Sequence, residues 1–231
     1  MRRLFYIISI FIVALDFAKA VNSDNFQSWN NITVLGNLGF VDDDYSKIQY
    51  ELTYQERLAN ASLTSFQTLY RGGLGYSLDN ENSFWVGADY LVTRNLVPED
   101  VNTSGIWQQY LYKSHYEEFK YLFRARFEQL LISSANYLTL RARIMVRGSY
   151  PISENKKWKV IGFNEYFQNL NGDGVVENAS LIQNRAFAGF GYEVTESANI
   201  ELGYMNQFIH SSQRDDFMAN VLLASLVLNF N

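Results

Sequence analysis

The sequence predicts an all-β fold, a single-domain transmembrane antiparallel β-barrel of about 10–12 strands, and three observations carry that prediction. Segment after segment alternates apolar and polar residues, the period of a strand whose two faces meet different surroundings. Aromatic residues are abundant, with 16 Tyr, 17 Phe and 4 Trp against only 2 Pro. The first twenty residues read as an export signal, and no later segment holds the ~18 unbroken apolar residues of a spanning helix.

The chain opens MRRLFYIISIFIVALDFAKA. Arg2 and Arg3 give a positive start, Leu4 to Leu15 an apolar run, and Ala18-Lys19-Ala20 a small-x-small cleavage site. That is the grammar of a secretory signal peptide. The run is too short to span a membrane as a helix, and it shows no polar stripe of a surface helix; Asp16, just after it, is an irregularity so near the cleavage site. Residues 1–20 are therefore expected to be a signal peptide and residues 21–231 the barrel domain. Zero cysteines exclude a disulfide framework, so stability must come from hydrogen bonding and packing. A net charge of −5 excludes nucleic acid as the expected partner. The mean hydropathy of −0.16 suits a barrel, in which half of each strand is polar.

In chain order, strands are expected near 27–38, 47–57, 64–78, 83–94, 105–116, 119–129, 137–147, 157–170, 180–194, 199–208 and 217–230. Within KIQYELTYQER, Ile48, Tyr50, Leu52 and Tyr54 alternate with Gln49, Glu51, Thr53, Gln55 and Arg57. FKYLFRARFEQ, YLTLRARIMVR and NIELGYMNQF repeat the pattern. Bacterial barrels favour an even strand number, so about 12 strands are expected and 10 allowed, with an extra strand sought between Asn22 and Leu38. Asp79–Asn82 and Thr195–Ala198 read as tight turns, and Asn95–Ser104 and Asn171–Ser180 as longer loops on alternate connections. Short turns at one end and long loops at the other are the outer-membrane arrangement.

YLTLRARIMVR poses the question of which face looks outward. A soluble sheet would turn Arg141, Arg143 and Arg147 to water; a membrane barrel turns them into the lumen and Leu138 to Val146 towards lipid. The aromatic load favours lipid, because a Tyr ring sits in the bilayer edge with its hydroxyl in the headgroup zone. Mixed charges on neighbouring strands favour a lumen, where guanidinium and carboxylate compensate each other. The ending NVLLASLVLNF, with Phe230 followed by Asn231, resembles the terminal strand read by the barrel insertion machinery. A periplasmic sandwich or lipocalin-like barrel is the alternative, and it predicts more proline turns.

The order of motifs also resembles a family of uncharacterised bacterial outer-membrane barrels, the domain of unknown function 2490. The matching stretches are SFQTLYRGGLGYSL, GIWQQYLYKSHY, FRARFEQ, LRARIMV, GFNEYFQNLN, QNRAFAGFGYEV and IELGYMNQF, together with Trp29. The resemblance implies an outer-membrane location and a barrel fold, and no activity. The chain departs from the pattern after FRARFEQ, where Leu130 stands in place of a further basic residue; one lumen charge pair is left open.

The lumen set expected from the alternation is Glu51, Arg57, Arg71, Asp89, Arg124, Arg126, Glu128, Arg141, Arg143, Glu165, Arg185 and Glu201. Such a set either plugs a small barrel with salt bridges or lines a narrow pore for anionic solutes, since its arginines outnumber its carboxylates. The expected role is therefore structural or that of a narrow pore. The partners are outer-membrane lipid and lipopolysaccharide, the insertion machinery and a small anionic solute. No enzymatic activity, cofactor or metal is expected.

The alternative is a lipid esterase or deacylase using His210 and Ser212 of FIHSSQRDD, similar to the His-x-Ser pair of outer-membrane phospholipases. A serine nucleophile needs a base and an orienting third group, and the sequence places no third group. NLNGDGVVEN copies part of a calcium loop through Asn169, Asn171 and Asp173, but Ser180 replaces the closing acid, so it reads as a glycine-rich connection. VDDDY (41–45) reads as a solvated turn, and the glycines of RGGLGY and AGFGY as close packing in strands.

Overall fold

The structure is a computed structural model that describes residues 25–59, 65–94, 99–135, 137–172, 181–212 and 214–230. The expected signal peptide lies outside the described residues. Eleven strands form: β1 (Phe26–Asn37), β2 (Ile48–Ala59), β3 (Ser65–Ser77), β4 (Asn82–Thr93), β5 (Val101–Tyr116) and β6 (Phe119–Ile132), followed by β7 (Leu138–Pro151), β8 (Trp158–Asn169), β9 (Leu181–Thr195), β10 (Ala198–Ser211) and β11 (Arg214–Phe230). They close into one barrel in which each strand pairs antiparallel with its sequence neighbour.

The number is 11, inside the expected range but one short of its favoured value. Residues 26–37 form a single strand, and β1 closes directly on β11 as a parallel pair from Phe26 opposite Asn220 to Gly36 opposite Phe230. An odd meander must close in parallel, and closure leaves no sheet edge unpaired. Phe26 and Phe230 consequently sit at opposite ends of the barrel. One end carries the connections 78–81, 117–118, 152–157 and 196–197, together with residues 38–47. The connections after β2, β4, β6, β8 and β10 leave from the opposite end, so the expected turns and the expected loops fall on opposite ends, although the ten-residue connection 38–47 lies with the turns and the two-residue β10–β11 connection with the loops. Residues 38–47 hold two short 3-10 turns capped by Asn37 and Asp42, whose side chains accept from the backbone N–H of Gly39 and Asp44. This is where VDDDY lies.

The wall is inside-out relative to a soluble protein. Val146 is 54% exposed on the outer face, whereas Glu128 is 1% exposed inside. Buried charge and displayed aliphatics invert the usual ordering, as a surface facing lipid requires. Tyr54, Tyr70 and Tyr90 lie side by side in register on the outer face towards the loop end. Tyr76 with Phe84, and Trp158 with Tyr192, do so towards the turn end. Two aromatic girdles thus flank an aliphatic band, the arrangement of a transmembrane barrel. Amides on the outer face satisfy one another: Asn164 and Asn184 exchange Nδ2–H···Oδ1 bonds at 3.2 and 3.0 Å, and Gln129 donates to Gln108 at 3.1 Å.

Inside, two apolar clusters brace the wall. Trp29, Ile161, Phe187, Met205, Val221 and Leu223 form one, and Trp85, Trp107 and Leu111 the other. The glycines of RGGLGY serve the second cluster, as close packing predicts. A Cβ on Gly73 would lie 2.5 Å from Trp107 Cη2, and one on Gly87 2.2 Å from Cζ2, so the indole rests on bare backbone. Leu130, the departure from the family pattern, is buried inside and meets Gly105 in the same way.

Candidate functional site in the barrel interior

The period-two alternation of β6, β7 and β8 turns their charged residues onto one inner face. Arg143 stands at the centre: its Nη1 is 2.5 Å from Glu128 Oε1 and its Nη2 2.7 Å from Glu165 Oε1. Arg141 takes the other oxygen of Glu128 at 2.5 Å. Arg124 reaches across β7 to Glu165, also at 2.5 Å. Arg126 stacks on Trp107 with its guanidinium carbon 4.0 Å from the ring centre, and it donates twice to Gln109 Oε1, at 2.9 and 2.7 Å. Its Nη1 approaches Glu128 only to 3.9 Å. Two carboxylates are thus shared among four guanidiniums. Desolvating such charges is costly, and only mutual pairing offsets the cost.

A second pair stands on β3 and β4. Arg71 grips Asp89 through Nε and Nη2 at 2.8 and 2.6 Å, and Trp107 Nε1 donates to the same carboxylate at 2.7 Å. This two-pronged geometry is the strong form of an arginine–carboxylate bond. Glu201 is engaged at 2.7 Å by Arg147, three strands away, so this bridge runs across the interior rather than along the wall. Glu51 accepts from Thr53 Oγ1 at 3.4 Å and has no ion pair among the described residues.

Arg57 and Arg185 differ from the others. Arg57 donates Nε to Gln55 and Nη1 to Gln67, both at 2.7 Å. Arg185 lies directly opposite Glu165 in register, yet donates to Gln207 at 2.9 Å, since Glu165 is taken up by Arg124 and Arg143. Both guanidiniums lie against Trp29, at 3.9 and 4.8 Å from the ring centre.

All twelve expected lumen residues therefore point inward. Ten line a central cavity of about 660 Å³, while Arg126 and Glu128 are sealed behind it at 3% and 1% exposure. Counting those two with the cavity wall, eight guanidiniums face five carboxylates. Sequence reasoning turned Arg147 inward but left it out of the lumen set, and it missed Trp29, Phe167 and a set of interior glutamines, Gln27, Gln55, Gln67, Gln183 and Gln207; all of these line the same cavity. Strand parity marks each of them as inward, but a neutral side chain carries no charge signal to single it out.

The other candidates sit elsewhere. His210 is on the outer face, and its Nδ1 is 2.5 Å from Asp216 Oδ1, both side chains being about half exposed. Asp216 follows in the same quoted stretch, and the β10–β11 hairpin supplies the acid partner that spacing alone did not. Ser212 is exposed in the connecting turn. In the glycine-rich connection, Asn171 accepts from the Leu140 N–H at 2.7 Å and donates to the Leu138 carbonyl at 2.6 Å, which ties it to β7. Asp173 to Ser180 lie outside the described residues. Among the described residues no three His, Cys, Asp or Glu side chains converge as a metal site would require.

An uncharacterised protein of Methylorubrum extorquens is 23% identical over 217 residues, covering 92% of this chain and 91% of its own. Among solved structures, a loop L8 deletion mutant of OmpT, an outer membrane protein of Vibrio cholerae, is similar over 75% of this chain at 10% identity and a TM-score of 0.44. The chain covers 58% of that structure's length. The model of a protein family of unknown function, DUF2490, matches residues 26–218, and the chain belongs to that family.

Proposed function

We propose that this protein resides in a bacterial outer membrane and forms a narrow passage for small anionic solutes, without enzymatic activity. The observation that carries the proposal is the surplus of guanidiniums around a cavity of about 660 Å³. Rings of one sign of charge select ions by electrostatics, and arginine rings favour anions. The paired residues Glu128, Glu165 and Asp89 hold the wall charges in place, so the surplus is carried by side chains that remain available. Membrane lipid and lipopolysaccharide are the surroundings proposed for the aliphatic band, and the barrel insertion machinery the partner that delivers it. Planar-bilayer recording of the purified protein tests the passage. Anion-selective conductance supports it; a silent bilayer assigns the barrel a structural role with a sealed interior.

A second reading is favoured by one specific contact. The His210–Asp216 pair supplies the base and orienting acid of a lipid esterase, with Ser212 as the nucleophile at the bilayer edge. Lipid profiles of cells carrying the native chain and Ser212→Ala decide it: an acyl chain lost only with the native protein supports the esterase, and identical profiles remove it.

A further inference from the structure

Among the described residues eight arginines face the interior, and two of them have no carboxylate within ion-pair distance. Arg71, Arg124, Arg141, Arg143 and Arg147 each have an acidic partner at 2.7 Å or closer, and Arg126 has Glu128 at 3.9 Å. Arg57 and Arg185 are held instead by the neutral amides of Gln55, Gln67 and Gln207. In the amide orientation that satisfies Gln183, its carbonyl oxygen accepts from Arg185 as well, at 2.8 and 2.9 Å. A glutamine orients a guanidinium without neutralising it. A buried cation left without a counter-charge is costly, and a bound anion relieves that cost.

We propose that Trp29, Arg57 and Arg185 form a binding site for the oxyanion group, carboxylate or phosphate, of a small solute inside the barrel. The site rests on the reading of the interior as solute-facing and names where the solute would be held.

Three features make it a built site. The indole is fixed first: Trp29 is 2% exposed and its Nε1 donates to Gln27 Oε1 at 2.8 Å. Both guanidiniums then stack against that ring, and Arg185 lies also against Phe167 at 4.7 Å. Stacking sets the plane of a guanidinium and leaves its N–H edge to meet an oxyanion with two parallel bonds. Finally, an arginine carries five N–H donors. The contacts of Arg57 occupy Nε and Nη1, leaving Nη2 for a ligand. Arg57, Arg185, Trp29 and Phe167 line the same cavity, whose volume falls within the ~300–1,000 Å³ of small-molecule pockets.

The test uses the full-length chain purified in detergent micelles, titrated calorimetrically with citrate and with inorganic phosphate at constant ionic strength. Trp29 fluorescence is followed in parallel, with Trp29→Phe as the control for the signal. Saturable binding of citrate, phosphate or both is expected, and the stronger of the two names the preferred group. Arg57→Gln/Arg185→Gln should weaken that binding at least tenfold, and Lys156→Gln, which removes an exposed charge outside the cavity, should leave it within about twofold. Heat-modifiable gel mobility confirms that each variant is folded. No saturable binding of either anion to the folded native chain overturns the site, as does unchanged affinity in the folded double variant. Binding without conductance removes the passage and keeps the site; conductance without binding removes the site and keeps the passage.

Discussion

Glu128 and Arg143 lie 2.5 Å apart on neighbouring strands, with side chains 1% and 6% exposed inside the barrel wall. Arg141 and Arg126 approach the same carboxylate, so one glutamate restrains three guanidiniums. Removing it leaves like charges buried together. Glu128→Ala should cost about 3–5 kcal/mol, the range for breaking an enclosed pair from one side. Glu201→Ala, whose partner Arg147 is 27% exposed, should cost less, on the order of 1 kcal/mol once solvent screening is allowed for. Urea unfolding followed by gel mobility measures both, and equal losses would show that the network around Glu128 has no special weight.

Arg141 and Arg143 also govern the electrostatics of the cavity. Replacing both by Ser removes two positive charges and shortens two long side chains that fill the interior. Conductance should rise and anion preference fall, read as a shift of the reversal potential in a salt gradient. An unchanged reversal potential would mean that these residues brace the wall without meeting the permeating ion.

Outward orientation is tested at Ile144, in the middle of β7 and 50% exposed. Ile144→Arg should destabilise the barrel by about 2–4 kcal/mol if that face meets the bilayer interior. On a water-facing wall the same change would fall within about 0.5 kcal/mol.

Gly87 tests the seat of Trp107. A methyl group there would lie 2.2 Å from the indole and 2.4 Å from the Gly72 carbonyl oxygen. Gly87→Ala should cost about 1–3 kcal/mol through overpacking. Trp107→Phe in the same chain should recover part of that loss, because a smaller ring vacates the space. No recovery in urea unfolding would assign the cost to the backbone contact alone.

The strand pattern was legible because each strand obeys one local rule. In β7 the alternation of Leu140, Ala142, Ile144 and Val146 with Arg141, Arg143 and Met145 locates both faces without knowledge of any neighbour. That neighbouring strands offer guanidinium–carboxylate pairs on the inner face was legible as well, and Glu128 with Arg141 is one such pair. The strand number was not, since the parallel closure of β1 on β11 is a property of the whole ring. Ser28 and Asn30 on the outward side of β1 blur the very segment that closes it. Contacts across the interior escaped too: Arg147 meets Glu201 only once register brings β7 and β10 face to face. The same holds for Trp29, Arg57 and Arg185, which come from β1, β2 and β9. His210 and Asp216 are six positions apart, and only the hairpin folds one back on the other.

Aliphatics on the outer wall and arginines within make the barrel inside-out. Membrane fractionation combined with gel mobility of unheated and boiled samples tests it most directly. An inside-out barrel is expected in the outer-membrane fraction, migrating faster unheated than boiled. A soluble periplasmic product with identical mobility in both lanes would contradict it.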